Sequence, residues 1–321
     1  NMLEKVQMPH LPSIYGAMLA GADYILMGAG IPREIPGVLD RLARNEDVEY
    51  RLYVDGATST DDYRLKFSPT KIVGDSVPAP KRPKFLPIIS SATLALTLAR
   101  KANGKVDGFV IEAPTAGGHN APPRGKVTLN ARGEPIYGPR DEVDFAAIAE
   151  LGLPYWLAGC RGNRDGLKSA QALGAAGIQV GTAFALCTES GMNPVIRRKI
   201  LQQVKDGNID VFTDPVASPT GFPFKVLNLE GTNSQKETYL QRTRVCDLGY
   251  LRTPYKKEDA TLGYRCASEP IDTFIKKGGT QEGAAGRKCL CNALLANIEI
   301  GQKRADGSEE LPLITIGDDI V

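Results

Sequence analysis

Histidine is nearly absent from this chain: His10 and His119 are the only two among 321 residues, and tryptophan occurs once. No apolar run approaches the length a bilayer span needs, so an integral membrane role is not expected. Lys plus Arg number 39 against 37 Asp plus Glu. That near balance provides no basic surface for nucleic acid or anionic lipid, and neither is expected as a partner. No secretory pattern opens the chain. Six cysteines over this length make no disulfide framework, so free thiols in a reducing cytoplasm are expected. A dinucleotide fingerprint is also missing. The nearest stretch, Gly28-Ala29-Gly30-Ile31-Pro32-Arg33, lacks its third glycine and carries a proline, which suits a tight turn after a strand. No phosphate-binding P-loop occurs. Hydrophobic content of 42% and charged content of 24% fit an ordinary globular protein with a real core, built as one large α/β domain with appendages or as two domains.

What is present is alternation. Residues 13–20 read as helix, YILMG at 24–28 as a buried strand and 34–44 as a second helix. Met2–Val6 also reads as helical. FLPIIS at 85–90, DGFVIEA at 107–113, YWLAG at 155–159 and GIQVG at 177–181 read as strands, separated by helices that stop at glycine. Short strands apolar on both faces with helices between them predict a parallel sheet of βα units. Residues 48–84 break the pattern with VEYRLYV, a DGATSTDD turn and YRLKFSP, and predict a hairpin insertion. The pattern weakens after about residue 200. Residues 1–200 are therefore read as the barrel-like portion, and 201–321 as an extension flanking or covering its mouth.

Two consecutive strands end in small residues, Ala158-Gly159-Cys160 and Val180-Gly181-Thr182. Glycine there lets backbone N–H groups approach a ligand, and a following helix start favours an anion. In a (β/α)8 barrel the last two such loops commonly hold a phosphate; the plainer alternative is a pair of tight turns. His119 follows DGFVIEA at the same end of the sheet, behind Gly117 and Gly118, which can press close to a flat ligand. An imidazole there suits proton abstraction, although a histidine can also serve only to satisfy a loop backbone. Glu112 ends the same strand and is a second acid–base candidate, or the partner of a nearby cation. Arg124 is a candidate for holding an anionic substrate, or a solvated loop charge. Asp107, at the opposite end, is expected to be structural.

Glu112-Ala113, Ala116-Gly117-Gly118-His119, LAGC at 157–160 and QVGTAF at 179–184, in that order, resemble the nitronate monooxygenases, FMN-dependent (β/α)8 barrels related to flavin enoyl reductases. The resemblance is strongest from residue 13 to about 190. It implies that His119 is the catalytic base and that Ala116, Gly117 and Gly118 lie beside the flavin. It further implies that Ala158, Gly159, Cys160, Gly181 and Thr182 hold the FMN phosphate, with Cys160 replacing a usual second glycine, and that Ser90 and Ser91 meet the flavin from mid-barrel. The implied reaction turns a nitroalkane or nitronate into a carbonyl compound and nitrite. An enoyl reductase using NAD(P)H is the alternative. Counting back from QVGT as the eighth strand makes YILMG the fourth, a five-strand remnant with open edges. A longer N-terminus, or another copy of the chain in a homo-oligomer, is expected to complete it.

Outside redox chemistry, a phosphate-binding isomerase or lyase, or a non-catalytic flavin carrier, would also use these features. Cys246, Cys266, Cys289 and Cys291 match no C-x-x-C pair. With a helix over 287–299, Cys289 and Cys291 would point about 200° apart and could not share a metal. That spacing predicts inert buried thiols, and no metal site is expected.

Overall fold

The computed structural model describes residues 1–74, 76–318 and 320. Its strands in chain order are β1 (Met2–Leu3), β2 (Tyr24–Gly28), β3 (Val48–Arg51), β4 (Arg64–Phe67), β5 (Lys84–Ile89), β6 (Phe109–Glu112), β7 (Tyr155–Ala158), β8 (Gly177–Gln179), β9 (Val211–Asp214), β10 (Phe224–Leu227), β11 (Thr253–Lys256) and β12 (Leu262–Arg265). Two compact units form. One comprises Asn1–Ile111, Val143–Trp156 and Arg252–Tyr264; the other comprises Glu112–Glu142, Leu157–Leu251 and Arg265–Val321.

In the first unit the strand order is β1-β2-β5-β6-β7. β1 pairs parallel with β2 through Met2 and Met27, β2 with β5 from Tyr24–Lys84 to Met27–Pro87, and β5 with β6 through Ile88 and Val110. The sheet buries Met27, Phe85, Ile89 and Phe109. The helices Ile35–Leu42 and Ala92–Lys101 follow β2 and β5. Ser91 starts the second of these by accepting the N–H of Leu94 at 3.1 Å, a cap worth about 1 kcal/mol. The helix expected over Met2–Val6 is instead the strand β1. Its ladder extends to Glu4, whose N–H donates to Gly28 O at 2.8 Å, so the parallel set has one strand more than the five expected.

The insertion does carry a hairpin. β3 and β4 pair antiparallel from Val48–Phe67 to Arg51–Arg64, with Val48 and Tyr50 buried and Glu49 and Arg51 exposed, the period of two of a half-buried strand. Asp107 is structural as expected. Burial opposes its charge, but the Phe85 N–H at 2.9 Å and Arg82 Nη1 at 2.7 Å hold its carboxyl below the ordinary range.

In the second unit the strand ends run in the order β6-β7-β8. β6 and β7 advance in step. Ala113 N donates to Ala158 O at 3.1 Å, continuing the pairing that Phe109 N and Pro154 O make at 3.0 Å in the first unit. The helix Arg164–Ala172 follows β7 and the short helix Thr182–Ala185 follows β8. β9 and β10 form an antiparallel pair. Leu227, Leu229, Ile314 and Ile316 pack with Ile200 of the helix Pro194–Lys205 in one buried cluster. Phe224, Val226, Leu290 and Leu313 form another.

The α/β class with a parallel sheet therefore holds. Among the described residues β1 and β8 each have a single strand neighbour. No helix among them is long and apolar enough to cross a membrane.

Candidate active site

β6 delivers Glu112 to the carboxyl end of the sheet, and the loop beyond it turns back through Gly118 at φ 82°. A non-glycine residue pays strain in this left-handed region. The loop is then clamped by backbone pairing to the start of β10: Lys225 N donates to Gly118 O at 2.9 Å and Asn120 N to Pro223 O at 2.9 Å. This pairing sets His119 edge-on to Phe224, with ring centroids 4.7 Å apart. His119 Nε2 lies 2.6 Å from the fully buried Ser218 hydroxyl, which also meets Thr220 Oγ1 at 2.8 Å. Ser218 fixes the ring plane, and the choice of donor fixes the tautomer.

Burial brings His119 down to about 4 and lifts Glu112 to about 8, with a hydrogen bond from Asn120 acting against the latter rise. At neutral pH the imidazole is thus uncharged and able to accept a proton, while the carboxyl is protonated and able to donate one. Asn120 follows His119 in the chain, and its Nδ2 also donates to Ala116 O at 2.9 Å. It ties the loop to the strand end that carries Glu112.

The C-terminal segment forms the other wall. Gly118 N donates to Thr315 Oγ1 at 2.8 Å, Asp318 N to Thr115 O at 3.0 Å and Gly317 N to Thr182 Oγ1 at 2.9 Å. Lys225 Nζ closes it with an ion pair to Asp318 at 2.7 Å. A Cβ on Gly117 would lie 2.7 Å from the Ile316 carbonyl carbon. The close approach expected of Gly117 towards a flat ligand is therefore made to the protein's own tail. At Gly118 and Gly181 nothing stands within 4 Å of where a Cβ atom would be.

Gly159 has φ 93°, and a Cβ there would sit 2.7 Å from Thr115 Oγ1. Cys160, after it, keeps φ 51° although it is not glycine. The turns that end β7 and β8 thus both abut the same loop and tail, Gly159 through Thr115 and Thr182 through Gly317. Ala158 is buried beneath them.

Ser90 and Ser91 belong to the first unit, where the Ser91 hydroxyl caps a helix. Arg124 is exposed, and its N–H donates to Asp141 Oδ1 at 2.8 Å. Sequence reasoning passed over Ser218, Asn120, Lys225 and Thr315. Asn120 adjoins His119 and was within reach of a local reading; the others arrive from about 100 to 200 residues away, and no local signal marks them.

Residues 83–248 match the family model described as nitronate monooxygenase. Over 113 residues the chain is 35% identical to a probable nitronate monooxygenase of Bacillus subtilis (strain 168), covering 35% of this chain and 30% of that protein. Over 233 residues it is 26% identical to the (3aS,4S,5R,7aS)-5-hydroxy-7a-methyl-1-oxo-octahydro-1H-indene-4-carboxyl-CoA dehydrogenase of Mycobacterium tuberculosis (strain ATCC 25618 / H37Rv), covering 68% of this chain and 61% of that protein. Among solved structures, FabK from Thermotoga maritima is similar at 20% identity with a TM-score of 0.41, covering 74% of this chain and 55% of that one. The chain spans less than two thirds of the length of each of these relatives.

Proposed function

The chain belongs to the nitronate monooxygenase family, and from that premise we propose that it is an FMN-dependent oxidoreductase that converts a nitroalkane or its nitronate into a carbonyl compound and nitrite. The observation that carries the reading is an uncharged His119, held by Ser218 beside the open face of Gly118. The residues present fit a phosphorylated flavin. The left-handed turn Gly159–Cys160 and the unobstructed Gly181 suit a phosphate, with Thr182 beside it, while Gly118 leaves room for a ring system.

FMN, when bound, would supply the electron chemistry, with dioxygen as the oxidant and the source of the carbonyl oxygen. The chain's own residues control the proton. His119 takes the α-proton of a neutral nitroalkane, Ser218 keeps the ring aimed, and the protonated Glu112 can hydrogen-bond negative charge that develops on the substrate. The test is nitrite release from a small nitroalkane by flavin-loaded protein, wild type against His119→Ala. Equal rates remove His119 as the base; no nitrite from either removes the nitroalkane substrate.

A second reading has one observation in its favour. The Mycobacterium tuberculosis relative, matched over 68% of the chain, is described as a carboxyl-CoA dehydrogenase. A CoA thioester would then be the substrate class, with nicotinamide as the electron partner. Nicotinamide turnover that requires a CoA thioester, without nitrite release, favours this reading.

A further inference from the structure

Residues 315–318, all in the second unit, touch both the glycine loop and the two turns that suit a phosphate. Thr315 Oγ1 accepts the Gly118 N–H at 2.8 Å, beside His119. Two residues on, Gly317 N donates to Thr182 Oγ1 at 2.9 Å, at the turn after β8. Asp318 N donates to Thr115 O at 3.0 Å, and the Thr115 hydroxyl abuts Gly159 in the turn after β7. Ile314 and Ile316 are 1% and 2% exposed within a core cluster, so the segment stands as a fixed wall.

Asp318 is the one charged side chain of this wall. It is 35% exposed, whereas its partner Lys225 is 5% exposed. Lys225 Nζ meets Oδ1 at 2.8 Å and Oδ2 at 2.7 Å. A buried ammonium is strongly destabilising when unpaired, so the pair holds the carboxylate in place. A carboxylate accepts about four hydrogen bonds and donates none. Lys225 takes one position on each oxygen, and the carboxylate keeps acceptor capacity on its exposed part. Such a group matches hydrogen-bond donors and repels anions. A phosphate offers it no donor, whereas the sugar-alcohol chain of a flavin carries hydroxyls along its length.

We infer that Asp318 accepts hydrogen bonds from the ribityl hydroxyls of the flavin, with Lys225 as the residue that positions it. The wall is tied to Gly118 on the ring side and to Thr182 and Thr115 on the phosphate side. The ribityl chain is the part of FMN that joins those two sides. The inference rests on the FMN part of the reading above and is independent of whether a nitroalkane or a CoA thioester is the substrate.

The test needs no turnover. Dissociation constants are measured by flavin fluorescence for FMN and for an analogue that keeps the ring, the five-carbon chain and the phosphate but lacks the chain hydroxyls. Wild type is compared with Asp318→Ala, a cycle that isolates the contact between side chain and hydroxyls. Wild type should prefer FMN. Asp318→Ala should lose about tenfold of that preference, the size of one hydrogen bond to a charged group, and should bind the analogue as wild type does. Asp318→Asn keeps the shape and one acceptor oxygen and should lose less; it carries the test if Asp318→Ala does not fold. Equal weakening of both ligands makes Asp318 a structural tie of the wall and overturns the inference. An unchanged preference overturns it too. Failure of wild type to bind FMN overturns the FMN reading and this inference with it.

Discussion

Each unit sets one histidine and one glutamate near the carboxyl end of a parallel strand, and the two pairs differ in access. In the first unit Glu4 follows β1, accepts the Tyr50 hydroxyl at 3.0 Å and Gln7 Nε2 at 3.2 Å, and is 2% exposed. His10, 1% exposed, bonds Leu3 O through Nε2 at 2.8 Å and leaves Nδ1 without a partner among the described residues. In the second unit Glu112 and His119 are only half-buried, beside an unobstructed glycine. Burial lowers both histidines and raises both glutamates. A shifted pKa therefore fails to separate them, and access does. His10 begins a helix that packs into the core, whereas His119 hangs on a loop made of glycine and proline.

The largest expected effect breaks the symmetry outright. His119→Ala should reduce nitrite release by about 10²- to 10⁴-fold, the usual range for a general base, with its thermal midpoint near wild type. His10→Ala should do the reverse. It loses a buried ring and a hydrogen bond, costs about 2 kcal/mol in chemical denaturation, and leaves kcat of the folded protein unchanged. If both substitutions harm the same property, the contrast between open and sealed pairs is wrong.

Next in size is the pH response. With His119 near 4 and Glu112 near 8, kcat/KM should fall below about pH 4, as the base is protonated, and above about pH 8, as the acid ionises. The stability linkage follows the same shifts. His119 lies below its ordinary 6.5, so its contribution is full above pH 6.5 and is lost as pH falls through about 4. Glu112 lies above its ordinary 4.5, so its contribution is full below pH 4.5 and is lost as pH rises through about 8. Glu112→Gln should remove the alkaline limb of the rate profile and leave the acid one. An alkaline limb that persists in this variant belongs to another group.

Smaller still are the supports. Ser218→Ala frees the His119 ring at the price of one hydrogen bond, about 1.4 kcal/mol or tenfold in kcat, with KM little changed. Tyr50→Phe removes the matching support from Glu4 and should cost about 1 kcal/mol of stability with no kinetic effect. A fall in stability without a fall in kcat for Ser218→Ala would make Ser218 a packing residue only.

The two regions also differ in how far they could be read from the chain. The strand–helix alternation, the hairpin in 48–67 and the loop behind β6 rest on local signals: apolar runs, glycine stops and period-two burial. β1 escaped because a two-residue strand has no period to detect, and its neighbour Glu4 reads as polar surface. The His119–Ser218 and Gly118–Thr315 contacts join residues 99 and 197 positions apart; nothing at either end announces the other. The helix beside Cys289 starts at Leu290, later than the 287 expected. The angle between Cys289 and Cys291 depends on where the helix starts, and the boundaries of short helices are the least legible feature of a sequence.

The smallest effect tests whether backbone strain marks function. The turn after β7 holds Cys160 at φ 51°, and the turn after β2 holds Ala29 at φ 54°. Left-handed backbone costs a side chain about 1 kcal/mol or more, and glycine's greater freedom when unfolded returns roughly half of that. Cys160→Gly and Ala29→Gly should therefore each stabilise by about 0.5 kcal/mol in denaturant titrations. Equal gains mean that strain is common to the open and the sealed region and carries no functional information. What should separate the two variants is flavin retention on gel filtration. A glycine at 160 lets the backbone approach a phosphate more closely, whereas 29 belongs to a turn whose next residue, Gly30, is packed against Glu4. A change in retention for Cys160→Gly alone assigns the turn after β7 to the ligand. The same change in both variants, or in neither, leaves that turn as ordinary chain reversal.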